Sequence, residues 1–550
     1  MDISIFYAIM CKFKTYFSEE KMKHKKNIFK YVLSTVLSSA FAGALVGIAI
    51  VLFKYCAGHA VHTSSAIYGF IKENPVWAIA AIAAIAIVAL LFTLLYRFVP
   101  NARGGGIPTS VGILRGVISF HWLENAVSVF FASLATFLIG VPLGTEGPSV
   151  QIGTALGKGV SLGFCKKHAA LNRYIMTGGA SAGFTVATGA PISGIMFALE
   201  EAHQRVSPLV LLSTTAAVVS AKTVSELLSP VFGVSPSLFE AHAIAALSPK
   251  DFWIPVAVAI VSGFTSVAFL KYYKILNRLW SKRLTKLPPY VKILTVFLLT
   301  LAFGLLSDKF ISTGHALTEE LLEISTPVYF LLICLAIRAS VMILATTSGI
   351  TGGLFLPILA LGALVAAICG NVLTALGLSA EYYPVIVMLG ITAAVSGMMK
   401  MPITAMLFAI ESLSLSENIL PLIITVAISY LITEIIAVKS ITEKVLESRL
   451  HHLHGEKKPH VYDTFVTVRE NSFAVGKQVR DVLWPSDLIV LSVERANDHN
   501  VMADELYEAT LYAGDILHLR YPTYNHGATR DEISAIVGSQ EYSEERVNAI

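Results

Sequence analysis

Charge is scarce in this sequence. Lys, Arg, Asp and Glu together make up 14% of its 550 residues, against 55% hydrophobic residues and a mean hydropathy of +0.68. A soluble core cannot hide that much apolar surface, so the chain reads as a polytopic membrane protein. Cysteine is sparse as well. Cys11, Cys56, Cys165, Cys334 and Cys369 are scattered without a CxxC pair, which indicates neither a disulfide framework nor a zinc site and makes them packing residues. The first apolar stretch lacks the small-residue cleavage site of a signal peptide. There is no HExxH, no GxSG-type serine element and no Gly-Asp pair in an apolar segment, which argues against an intramembrane enzyme. The glycines from Gly153 to Gly159 lack the spacing and the Ser/Thr of a Walker A loop, so no ATP-driven pump is indicated.

The little charge there is segregates. Of 78 charged residues, 22 lie in the last 90 positions, seven basic and fifteen acidic, a net of −8; the rest of the chain carries about +12. A soluble domain therefore ends the chain, and its acidity speaks against nucleic-acid binding. At the other end, Lys21, Lys23, Lys25 and Lys26 precede the first apolar stretch, and the positive-inside rule places that end in the cytoplasm.

Runs long enough to cross about 30 Å of hydrocarbon open the chain at Ser34 to Tyr55 and Val76 to Tyr96. After Pro100 the runs shorten and glycine clusters interrupt them, so several helices are expected to stop inside the membrane. Broken backbone at that depth survives only where it is buried in protein or lines a polar cavity, and it marks ion and substrate sites. An internal repeat supports this. Residues 190–200 align without gaps on 401–411, an offset of 211, with Pro, Ile, Phe, Ala and Glu identical. A shared Pro and a shared intramembrane Glu are costly to match by chance, which favours a duplication; periodicity does not say whether it is parallel or inverted. After the last apolar stretch, residues 439–460 are charged and rich in His (His451, His452, His454, His460) and read as a solvated linker rather than a metal site. Beyond it, Val461 to Val468, Asp487 to Val493 and Ile516 to Leu519 read as strands and Val475 to Leu483 as a short helix.

Three glycine-bearing breaks carry the chemistry: Gly104-Gly105-Gly106-Ile107-Pro108, Gly144-Thr145-Glu146-Gly147-Pro148, and Gly352-Gly353-Leu354-Phe355-Leu356-Pro357. Each has glycine where the backbone turns sharply and then a proline suited to a first helical turn. A half-helix starting there offers roughly half a positive charge and up to four unpaired N–H donors, an anion site that needs no basic side chain. Any one break alone reads as an ordinary loop. Glu146 changes that reading: a carboxylate beside such an end competes with an anion when ionised and withdraws when protonated, which would make it a gate. Glu200 and Glu201 end an apolar run, and only one of two adjacent helical residues can face a given route.

The three breaks, in this order, resemble the motifs of the CLC family of chloride channels and chloride/proton exchangers, and Glu200-Glu201 after Gly194-Ile195-Met196-Phe197 is similar to its next signature. The resemblance spans about residues 30–450. It implies an all-α membrane domain of two inverted halves of tilted and broken helices, working as a homodimer with one anion path per subunit. It implies Glu146 as external gate and proton acceptor, Glu201 as internal proton-transfer residue, and an anion path along Gly104, Gly105, Gly106, Ile107, Pro108, Gly147, Leu354 and Phe355. Two departures bear on selectivity. Gly105 stands where the family usually has serine, and Ser440-Ile441-Thr442 replaces a Pro-hydrophobic-Tyr element, leaving Thr442 as a possible hydroxyl donor; Thr145 also replaces the usual basic residue before the gate. The tail from Gly476 to Arg520, with Val493-Glu494-Arg495 and Gly514-Asp515-Ile516-Leu517, resembles the C-terminal lobe of TrkA/RCK regulatory domains, which implies lobe dimers and a small ligand such as a cyclic dinucleotide.

The expected organisation is a cytosolic basic N-terminus (1–30), a transmembrane domain (31–445, with halves 31–230 and 250–445), a linker (446–460), an α+β regulatory lobe (461–525) and a tail (526–550). The expected function is exchange of chloride or a similar monovalent anion for protons across the cell membrane, without cofactor or metal, with both termini cytoplasmic. A passive anion channel of the same fold is the alternative, and retention of both Glu146 and Glu201 favours exchange.

Overall fold

The computed structural model describes residues 19–104, 106–164, 169–240, 244–283, 287–323, 326–455, 459–485, 487–495, 498–501, 505–538 and 542–547. Its first helix, α1 (Glu19–Glu73), is much longer than the expected Ser34 to Tyr55, and α2 (Trp77–Phe98) follows close to expectation. Residues 30–73 of α1 alone would extend about 66 Å at 1.5 Å per residue, so α1 must tilt or project beyond the hydrocarbon. Next come α3 (Ile107–Leu114), α4 (Trp122–Ile139), α5 (Glu146–Phe164), α6 (Asn172–Thr188), α7 (Pro191–Phe197) and α8 (Pro208–Phe232). The second half comprises α9 (Trp253–Arg283), α10 (Pro289–Leu306), α11 (His315–Glu320), α12 (Val328–Ser348), α13 (Phe355–Ala375), α14 (Tyr383–Ala394), α15 (Pro402–Ser412), α16 (Ile419–Ile435) and α17 (Ile441–His454). Among the described residues ten helical segments are long and apolar enough to cross a membrane, which makes this a multi-pass membrane protein. With eight and seven residues, α3 and α7 are too short to cross and end inside the bundle.

The repeated peptide becomes α7 and α15, and each copy caps the other. Glu200, at the end of the first copy, accepts hydrogen bonds from the Ile403 and Thr404 amides (2.9 and 2.7 Å) at the start of α15. Its repeat equivalent Glu411 accepts them from the Ile192 and Ser193 amides (2.8 and 2.9 Å) at the start of α7. Ser193 meets its own equivalent, donating from Oγ to the Thr404 carbonyl (3.0 Å). Gly144 and Gly353 likewise exchange two backbone hydrogen bonds of 2.8 Å each. Reciprocal contacts with equivalent residues meeting in the middle are the signature of a two-fold axis. The shared glutamate that made the repeat legible is thus a helix cap at each copy, where a carboxylate complements the positive helix end.

The C-terminal lobe is a five-stranded sheet of order β3-β2-β4-β1-β5, built from β1 (His460–Thr467), β2 (Ile489–Arg495), β3 (Asp498–Val501), β4 (Ile516–Thr523) and β5 (Tyr542–Val547), with α18 (His526–Val537) against it. Its paired strands are antiparallel. Three expectations are corrected. The segment Val475 to Leu483 is not an α-helix: Gly476 adopts φ +76° and the amides of Gly476, Val479 and Arg480 bond to Leu511, Ala509 and Tyr507, which leaves only a short 3-10 turn at Val479–Asp481. The lobe does not stop at 525, because Ile533, Ile536 and Val537 are buried in its core and β5 pairs with β1. Residues 446–454 of the expected linker continue α17, whose N-terminus is capped by Ser440 Oγ accepting from the Glu443 amide (3.1 Å).

The lobe docks on the membrane domain. The Tyr174 hydroxyl on α6 donates to the Asp481 carbonyl (3.0 Å) and accepts from the Leu483 amide (3.1 Å), and Ser207 donates to the same Asp481 carbonyl (3.0 Å). Arg173 donates to the Trp484 carbonyl (2.9 Å) and pairs with Glu532. Tyr174, Leu171 and Ile175 share one buried cluster with Phe473, Val482 and Trp484.

Candidate functional site

The three glycine breaks meet as bare backbone. Gly104 donates to the Gly349 carbonyl (2.8 Å), and the Gly144–Gly353 pair joins the second break to the third. A Cβ on Gly147 would lie 2.6 Å from the Gly353 Cα and 3.0 Å from the Gly106 Cα, an approach that glycine alone permits. The helices opening at these breaks, α3 at Ile107, α5 at Glu146 and α13 at Phe355, therefore begin around one centre. Their positive ends add up to an anion-attracting centre.

Buried polar groups hold the centre in place, and sequence reasoning missed them. Gln151 accepts from the Gly106 amide (2.6 Å) and donates to the Asn101 carbonyl and Asn125 Oδ1 (2.9 and 3.1 Å). The Gly106 amide, one of the expected anion ligands, is thus already committed; Gly106 supplies the turn, at φ +98°. Gly105 lies outside the described residues. Thr351 ties the first break to the third, donating to the Ala102 carbonyl (2.7 Å) while its amide donates to the Tyr96 hydroxyl (3.0 Å). Ile107, Pro108, Leu354 and Phe355 are all buried here, as is Gly104 in part. Phe355 packs edge-on against Phe184 and Phe408 (5.2 Å between centroids in each case), and Phe184 stacks on Phe197. Phe197 and Phe408 are repeat equivalents, so an aromatic wall straddles the two-fold axis.

Glu146 is fully buried in the first turn of α5. Its carboxylate faces its own amide and that of Leu356, and Thr145 donates to Oε1 (3.2 Å). Oε2 has no partner at hydrogen-bonding geometry, although it would sit 2.5 Å from a Cβ on Gly144. The side chain is folded onto the convergent helix ends, the location a competing anion would take.

Glu200 and Glu201 both line one cavity but make different contacts. Glu200 caps α15. Glu201, 5% exposed on the π-helical turn Ala198–Ala202, faces a cavity of about 550 Å³ whose lining includes Arg115, Lys400, Glu434, Ser440 and Thr442. Arg115 braces this turn through the Glu201 and Ala202 carbonyls (3.3 Å each). Thr442 is buried, and its hydroxyl lies beside the Glu201 carboxylate without a hydrogen bond at good geometry.

A bundle with an internal two-fold, broken at three glycine loops around an anion-attracting centre, defines a membrane ion-transport protein. A family model for voltage gated chloride channels matches residues 87–434, and the chain belongs to that family. Among its relatives are the H(+)/Cl(−) exchange transporters ClcA of Vibrio parahaemolyticus, 26% identical over 431 residues (76% of this chain, 90% of the relative), and of Cronobacter sakazakii, 26% over 447 residues (78% and 92%). Among solved structures the fold is similar to that of a slow cyanobacterial Cl−/H+ antiporter, with TM-score 0.68, 23% identity and coverage of 77% of this chain and 99% of that one. It is also similar to a CLC-type fluoride/proton antiporter, with TM-score 0.58, 20% identity and coverage of 73% and 95%.

Proposed function

We propose that this protein exchanges chloride or a similar monovalent anion for protons. The observation that carries this reading is the pair of buried carboxylates, Glu146 folded onto the convergent helix ends and Glu201 facing the separate cavity beside Thr442. A single carboxylate at the anion centre suffices to gate a channel; a second, placed away from the anion centre, serves proton transfer. In this scheme the anion is held by the helix ends opening at Ile107, Glu146 and Phe355, with Gly104, Gly147 and Leu354 along the path. Glu146 takes the anion's place when ionised, accepts a proton and swings away; Glu201 supplies that proton from the cytoplasmic side. The names of the curated relatives support exchange over passive conduction.

The protein acts as a transporter and not an enzyme, takes chloride as transported ion and needs no cofactor. It works as a homodimer with both termini cytoplasmic, and its lobe, docked through Tyr174 and Arg173 of α6, regulates transport by binding a small cytosolic ligand. The test is reconstitution in liposomes under a chloride gradient with proton movement and current recorded together. Uphill proton movement is expected; current without proton movement would identify a channel.

A further inference from the structure

Behind the first glycine break lies a chamber of about 110 Å³ lined in part by Tyr96, Arg103, Gly104, Gly349, Arg449 and His452. We propose that this chamber is a second anion site, off the transport path, that binds a phosphate group between Arg103 and Arg449.

Arg449, on α17, is 8% exposed. Its Nη2 makes one long bond to the Pro100 carbonyl (3.3 Å), and its buried Nε has no partner. Arg103 reaches the chamber by crossing Gly349, where a Cβ would stand 2.2 Å from its Nε; Gly349, at φ +82°, is the residue type that lets it pass. Its guanidinium makes one long bond, to the Ser348 carbonyl (3.4 Å). No Asp or Glu lines the chamber, and among the described residues neither arginine has a carboxylate partner. Two guanidinium groups near one another in a mostly buried site, with donors to spare, are unfavourable unless a negative charge joins them. A halide could bridge them but offers neither planar fork a bidentate partner. A phosphate group has enough oxygens for both planar forks, the geometry for which arginine is suited. The chamber is open at His452, which is exposed, so the group can arrive as free phosphate or as a phospholipid headgroup. Arg103 adjoins the Gly104 turn and Arg449 shares α17 with Thr442, so an occupant would tie two parts of the transport centre together.

The test uses the full-length protein in nanodiscs of neutral phosphatidylcholine, titrated with inorganic phosphate by calorimetry, and native mass spectrometry of protein purified from its own membrane. Saturable phosphate binding that weakens at least tenfold in both Arg103→Gln and Arg449→Gln assigns the site to free phosphate. A phospholipid retained by the wild type and lost from both variants, without phosphate binding in neutral nanodiscs, assigns it to a headgroup. Because each variant removes an uncompensated charge, both should melt no lower than the wild type in phosphate-free nanodiscs. The proposal is overturned if the wild type neither binds phosphate nor retains a phospholipid, or if both variants bind as the wild type does.

Discussion

Glu200→Gln removes the charge that seats α15 on the first half of the molecule. Glu200 accepts three hydrogen bonds of 2.7 to 2.9 Å, from the Ile403 and Thr404 amides and the Thr404 hydroxyl. Glutamine keeps one acceptor oxygen and turns an NH2 group toward donors, so at least one of the three is orphaned. Loss of a helix cap costs about 0.5–2 kcal/mol, and loss of the charge at a helix N-terminus about 0.3–1 kcal/mol more. The sum is about 1–3 kcal/mol, read as a lower melting temperature in detergent by loss of the monodisperse size-exclusion peak. The two-fold relation makes a second, independent demand: Glu411→Gln, which orphans one of the two equivalent bonds of 2.8 and 2.9 Å and removes the charge, must destabilise by a similar or slightly smaller amount. Both variants should retain the wild-type ratio of anions to protons in liposomes. A Glu200→Gln protein that melts with the wild type, or that loses proton coupling while Glu411→Gln keeps it, would refute the assignment of Glu200 as a cap.

Gly147→Ala places a methyl group 2.6 Å from the Gly353 Cα, and backbone cannot yield as a side chain can; anion flux in liposomes should fall sharply, and normal flux would show that the breaks do not touch. Gly105→Ser adds a hydroxyl donor at the family's serine position, worth roughly 1.5–3 kcal/mol to an anion, so chloride affinity by calorimetry should rise about tenfold or more; unchanged affinity in a folded, transporting variant refutes the role. Tyr174→Phe leaves the Asp481 carbonyl and Leu483 amide without their shared hydroxyl, a cost of about 1–3 kcal/mol, and should speed hydrogen exchange at Leu483; unchanged protection would mean the lobe is not held there.

What the sequence displayed and what it hid follow from separation along the chain. Each glycine break advertises itself within a few residues, because a sharp turn and a following helix start require Gly and Pro side by side; all three open helices. Glu146 was legible because a carboxylate in an apolar segment is costly. The repeat was legible for the same reason, although what Glu200 and Glu411 do became visible only when each was found on the other copy's helix. Gln151 carries no local signature: its role depends on Gly106, 45 positions away. Arg103 and Arg449 meet across the whole membrane domain. In the lobe, local pattern suggested a helix at 475–483, and pairing with residues 507–511 overrode it.

The central claim, that two carboxylates at separate places couple proton movement to anion movement, is tested most directly by one measurement on Glu201→Gln. Liposomes containing this variant, under a chloride gradient, should pass chloride with the proton signal abolished, since the anion need not cross Glu201 while the proton must. Proton movement that persists at the wild-type ratio in Glu201→Gln would contradict the account.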